Sequence, residues 1–306
     1  MSQPSAVAAS RVLSARAFAT LLLIALMMGA NHVAARIAFN NGLDVATAVV
    51  VRSAVTALVI VLILALQRVR IRFTARHRRM LPLIGLLIGI QSLCLYSAVA
   101  RLPVALALLG FNTYPLWTAL WSWLLYRQAP ERALVIAMPV ILIGLALALD
   151  VFGAASGLGA ALQWSRIGAG VAFAVAAAGT FGLALVVTQH EAADVDGRVR
   201  TATTLTLAGL VALVMVGAQG GFHLPQALPG WWGLAVLTLL YGTAFTIMFT
   251  VLPKLGVVGN SAIMNVEPVF ALALAWLILG QAIAPVQVLG ALVVVGAVMG
   301  LGLRRR

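Results

Sequence analysis

Asn112-Thr-Tyr-Pro115 and Asn265-Val-Glu-Pro268 are two copies of one signature, 153 residues apart, each inside an apolar stretch. The same gapless offset pairs Arg101 with Lys254, Leu102 with Leu255, Val104 with Val257, Trp123 with Trp276 and Gln128 with Gln281. Apolar matches are cheap in a chain that is 63% hydrophobic, but Asn, Pro, Trp and Gln falling together at one offset are not. The sequence therefore reads as a duplicated unit. Duplicated halves with interrupted helices are the pattern of membrane carriers whose binding site lies between the halves.

Composition names the solvent. Only 9% of the 306 residues are charged, and the mean hydropathy is +1.10. A water-soluble fold cannot cover that much apolar surface, whereas a bilayer accepts it. Ten apolar spans are expected at 17–39, 44–66, 80–100, 103–126, 132–151, 166–189, 200–218, 230–252, 257–279 and 284–303. A span needs about 20 residues to cross roughly 30 Å of hydrocarbon. No barrel-type alternation is visible, so each span has to be a helix that pairs its own backbone groups. The expected fold is an all-α membrane protein with ten transmembrane helices in two five-helix repeats. These cover 1–151 and 166–306, joined by a flexible Gly/Ala-rich linker at 152–165. Arg11 and Arg16 precede the first apolar run as in a signal peptide. That run is too long for a signal core, so it is read as an uncleaved first span.

The formal net charge is +13, and every basic residue except Lys254 is arginine. In a membrane chain such residues mark cytoplasmic loops, so no nucleic-acid partner is inferred. Arg68, Arg70, Arg72, Arg76, Arg78, Arg79, Arg127, Arg132, Arg198, Arg200 and Arg304–Arg306 fall on one side of a ten-span arrangement, with both termini. Arg101 and Arg166 fall on the other, with Arg36 near it. Both termini are therefore expected in the cytoplasm. Five spans per unit invert the second unit relative to the first, so Arg101 and Lys254 lie on opposite faces. The lone Cys94 can form no intrachain disulfide, and no metal-ligand spacing is present.

Few polar residues interrupt the spans, and each has two readings. Glu267 is a deep carboxylate, at a cost of roughly 2.5–3.5 kcal/mol on an insertion scale. It is either a substrate-ammonium or proton site, or a carboxylate tied to Arg52 or to a neighbouring span. Arg52 lies about eight residues, roughly 12 Å, into the second span. It attracts a substrate carboxylate or pairs with Glu267 as a gate. Asn31 and His32 are cavity residues or hydrogen-bonded packing. Gln91, Tyr96, Asn112, Tyr114, Trp117, Tyr241, Thr246 and Asn265 suit an amphipathic cavity, and aromatic residues near span ends also suit an interfacial belt. Pro115 and Pro268 lack an amide hydrogen and are the expected helix breaks.

Glu267-Pro-Val-Phe270, followed through Trp276 to Gly280-Gln281, resembles the second-half signature of the EamA family in the drug/metabolite transporter superfamily. Tyr114-Pro-Leu-Trp117 through Trp123 to Gln128 is its first-half counterpart. The resemblance spans nearly the whole chain, and within the family the chain is similar to the bacterial amino-acid exporters, the aromatic group included. It implies a secondary transporter of the bacterial inner membrane that exports small amphipathic metabolites, amino acids first, by alternating access. The partners it implies are the lipid bilayer and a small-molecule substrate. It implies a functional monomer with no cofactor, and no enzyme. The family often has Glu where Gln128 and Gln281 stand, which removes the carboxylates that an ion-pair or proton role would use. Export of organic cations or drug-like compounds is the alternative within transport. A membrane-embedded enzyme or a non-transporting subunit is the alternative outside it.

Overall fold

The computed structural model describes residues 15–69, 71–130, 132–251, 266–281 and 284–304. Among these residues all regular structure is helical. The helices are α1 (Ala15–Asn40), α2 (Val45–Leu66), α3 (Ala75–Arg101), α4 (Val104–Phe111), α5 (Tyr114–Tyr126), α6 (Arg132–Ala148), α7 (Ala160–Glu191), α8 (Gly197–Ala218), α9 (Leu228–Thr250), α10 (Glu267–Leu279) and α11 (Pro285–Arg304). Six of them, α1, α2, α3, α7, α8 and α9, are long and apolar enough to cross a membrane, while α6, α10 and α11 hold shorter apolar helices. The expected fourth span is two helices, α4 and α5. Most of the first half of the expected ninth, with Lys254 and Asn265, lies outside the described residues.

Local chemistry sets the helix ends. Asp44 caps α2 by accepting the Thr47 N–H at 2.9 Å, and Thr74 caps α3 in a capping box with His77. Between α4 and α5, Pro115 has no N–H to offer the Phe111 carbonyl. Asn112 Nδ2 turns back to donate to the Leu108 carbonyl at 2.9 Å, and Thr113 Oγ1 donates to that of Gly110 at 2.8 Å. Both side chains at the break thus fold back onto carbonyls of their own helix.

The linker differs from expectation. Residues 160–165 form the first turns of α7, because Ala160, Ala161, Leu162 and Gln163 are good helix formers. The loop before it is organised by the Asp150 carboxylate, which accepts the N–H of Ala155 at 3.0 Å and of Ser156 at 2.8 Å. Gln163 Nε2 donates to the Leu149 carbonyl at 3.3 Å and ties the loop to α6. A loop closed on a carboxylate in this way is not a free tether.

The halves interlock in a twofold pattern. α2 packs on α8 and α6 on α11, while α3 on α7 is mirrored by α1 on α9, and α5 on α7 by α1 on α10. Small residues permit the close crossings: Gly85 and Gly89 lay α3 against Leu207 and Val211 of α8. A Cβ on Gly290 would stand 2.5 Å from the Gly144 carbonyl oxygen and the Ala148 nitrogen, so α6 and α11 touch backbone to backbone. Leu58, Leu62, Val214, Leu239, Trp276 and Leu277 are exposed on the outside of the bundle, a surface suited to lipid.

Two polar ends bracket the bundle. At one, Arg76 Nε meets Glu191 Oε2 at 2.6 Å, Tyr126 donates to Glu191 Oε1 at 2.8 Å, and Gln128 lies 3.0 Å from His190 Nε2. Arg198 reaches Gln67 at the same end. At the other, the Gln226 N–H donates to the Asn41 carbonyl at 2.8 Å, and Asp44 accepts the His223 N–H at 3.1 Å. Arg36 Nη1 there donates to the Val99 carbonyl at 2.7 Å, which Pro103 leaves without its helical partner. Gln281 Oε1 accepts the Val104 N–H at 3.1 Å. The equivalent residues Gln128 and Gln281 thus sit at opposite ends, and the two halves run in opposite senses.

Candidate substrate site

Polar side chains from α1, α2, α3, α9 and α10 meet inside the apolar bundle. Tyr96, fully buried on α3, donates its hydroxyl to Asn31 Oδ1 at 3.0 Å. Its ring lies edge-on to His32 with centroids 5.7 Å apart. His32 Nε2 stands 3.2 Å from Glu267 Oε1. Gly29, one turn before His32, lets α1 approach the first turn of α10: a Cβ there would lie 3.0 Å from the Ala271 nitrogen and 3.1 Å from the Glu267 carbonyl oxygen.

Arg52, 4% exposed, does not make the direct pair with Glu267 expected of it. Its guanidinium carbon lies 4.2 Å from the ring centroid of Tyr96 and 4.1 Å from that of Tyr241. The physical reason is the packing of the two tyrosines, which hold the cation between them while His32 takes the carboxylate. Cation–aromatic attraction strengthens when the cation is desolvated. Among the described residues no carboxylate lies within 4.0 Å of Arg52.

Among the described residues the cluster carries buried atoms without hydrogen-bond partners: Asn31 Nδ2, His32 Nδ1, Arg52 Nε and Thr56 Oγ1. Thr56 is one turn from Arg52 on the same face of α2, and it faces Gly242, next to Tyr241. Native interiors pair nearly all such atoms, so several orphans in one place call for a physical account. Thr56 and Ser53 were not singled out from the sequence. The signal was there, because Arg52, Ser53 and Thr56 are consecutive polar interruptions in an otherwise apolar helix.

The remaining candidates lie elsewhere or make local contacts. Asn112 closes α4, as described. Gln91 accepts from the neighbouring Ser92 hydroxyl at 3.3 Å. Thr246 Oγ1 donates to the Gly242 carbonyl at 2.8 Å. Tyr114 packs on Phe111 and Phe181, and Trp117 lies against Gly179 and Gly182 of α7. Trp117, Trp121 and Trp164 line an open groove of about 560 Å³ between α5 and α7. That groove is apolar: its Thr180 hydroxyl is given to the Ala176 carbonyl at 2.8 Å, and the Trp121 indole N–H to that of Gly179 at 3.0 Å. The buried polar groups are gathered in the cluster, and the groove belongs to the bundle surface. Pro115 and Pro268 occupy the first turns of α5 and α10.

Interlocked halves running in opposite senses, with polar groups from both meeting in an apolar interior, make a polytopic membrane protein. The profile of the EamA-like transporter family matches the sequence twice, over residues 15–149 and 168–303. The chain belongs to that family, within the drug/metabolite transporter superfamily. A solved crystal structure is similar in fold, with a TM-score of 0.60 over 94% of this chain and 98% of that one, at 20% identity. No curated protein matches the chain.

Proposed function

We propose that the protein is a secondary transporter that exports small amphipathic metabolites, amino acids first, by alternating access around the cluster of Asn31, His32, Arg52, Tyr96, Tyr241 and Glu267. The observation that carries this reading is the set of unpaired buried atoms, Asn31 Nδ2, Arg52 Nε and Thr56 Oγ1. Hydrocarbon offers no partner to such groups, whereas a polar solute entering the bundle does. Aromatic walls with a few polar groups are also what small-molecule sites are made of. In this reading ten spans form two inverted units, 1–151 and 166–306, and the protein acts as a monomer in a bacterial inner membrane. The arginine-rich end and both termini face the cytoplasm.

Counterflow in proteoliposomes tests it, with a panel of amino acids and organic cations and with or without a pH gradient. Saturable exchange of at least one amino acid is expected. Exchange of organic cations alone would replace the amino-acid reading, and exchange of nothing in the panel would sink it.

A further inference from the structure

The transport reading leaves open which end of an amphipathic solute is recognised, and Arg52 answers it. A guanidinium has two faces and an edge of N–H donors. The Tyr96 and Tyr241 ring centroids stand at 4.2 and 4.1 Å from its central carbon. Of its N–H donors, Nε is buried and without a partner among the described residues, while the edge also meets the Tyr96 hydroxyl. Arg52 carries a full charge inside an apolar bundle, and no described carboxylate lies within 4.0 Å of it. Asn31 Nδ2, a donor, and Thr56 Oγ1 are unpaired on the flanking α1 and on the same face of α2. Beside the His32–Glu267 pair the site thus offers one cation and two neutral hydrogen-bonding groups, with Phe245 packed at a tilt against Tyr241 at 4.5 Å.

We infer that Arg52 is the receptor for a carboxylate on the substrate, and that this carboxylate, not an amine, is the group the transporter requires. The planar N–H edge matches a carboxylate in two parallel hydrogen bonds. One positive charge balances one negative charge, which favours monocarboxylates over dianions. An ammonium would have to compete with His32 for Glu267 and would meet Arg52 as a like charge. The inference rests on the transport reading and narrows its substrate class to apolar monocarboxylates, with or without an amine.

The test is efflux of four labelled compounds from proteoliposomes at pH 8, corrected against protein-free liposomes: phenylalanine, phenylalaninamide, 3-phenylpropanoate and 2-phenylethylamine. The two acids are expected to leave through the protein, and the amide and the amine are not. Arg52→Gln should lower acid efflux about tenfold to a hundredfold, the range for losing hydrogen bonds to a charged group. Arg52→Lys should retain part of the efflux, because it keeps the charge and loses the fork. Arg52→Gln also gives up the contacts with the Tyr96 and Tyr241 rings, so some loss of thermal stability is expected, and efflux is compared at equal amounts of folded protein. Amine or amide efflux equal to that of the acids overturns the inference and leaves the transport reading standing. So does undiminished acid efflux in Arg52→Gln. Should Arg52→Gln fail to fold, the wild-type series and Arg52→Lys decide. Efflux of none of the four through the wild type removes this inference, and counterflow with the wider panel then judges the transport reading separately.

Discussion

Removing the Tyr96 hydroxyl would leave Asn31 with neither side of its amide paired, since Nδ2 already lacks a partner. Tyr96→Phe is therefore expected to cost about 1–2 kcal/mol, read as a lower midpoint in thermal unfolding in detergent, while the ring stays against Arg52. Tyr96→Leu loses the ring as well and should fall further. His32 and Glu267 touch, so a cycle of His32→Asn, Glu267→Gln and the double variant should show coupling of roughly 0.5–3 kcal/mol. The Arg52→Ala and Glu267→Ala cycle should lie closer to additive, and strong coupling there would mean the carboxylate answers to Arg52 after all. The sequence made each of these residues visible as a polar interruption in an apolar span. It did not make the pairing visible. With Arg52 and His32 both available to Glu267, the choice depends on how α1, α2 and α10 rotate against one another, and residue type carries no record of rotation.

Helix contacts are governed by shape, and two positions expose this. Gly290→Val puts branched carbon against the backbone of α6, where even a single Cβ would stand 2.5 Å from the Gly144 oxygen. Such overpacking costs about 1–3 kcal/mol; a lower unfolding temperature that Gly290→Ala shares in part would bear this out. The loop after α6 rests on Asp150. Burial works against its ionised form, yet the N–H groups of Ala155 and Ser156 and the Ser156 hydroxyl outweigh that and hold its carboxyl below the usual range. A folded value below the unfolded one stabilises the loop above ordinary carboxylate pH and loses that contribution as pH falls through the folded value. Asp150→Asn should speed amide exchange across 152–159 at neutral pH, and an unchanged exchange rate would deny the carboxylate its part. Composition alone read this stretch as a loose tether because glycine content reports freedom. It missed the closure that one carboxylate imposes.

At the scale of the whole molecule the duplication was legible because Asn, Pro, Trp and Gln recur at one offset. The interlock of α2 with α8 and α6 with α11 was not, since apolar faces match one another equally well in sequence. Labelling tests the ten-span arrangement proposed above. In a Cys94→Ser background, Arg72→Cys should react with an impermeant thiol reagent from the cytoplasmic side and Ser156→Cys from the opposite side; labelling of both from one side would break the ten-span arrangement. The contact between Gln281 and the Val104 N–H has a consequence of a different kind. An amide neither gains nor loses a proton, and a membrane voltage does work only on net charge. The join between α10 and α4 is therefore indifferent to acidity and to the electrical state of the cell. Any voltage or pH response of transport has to originate in groups other than this amide. Gln281→Glu should write a new acid limb into the rate–pH profile, and a profile identical to wild type would show that this join takes no part in the working cycle.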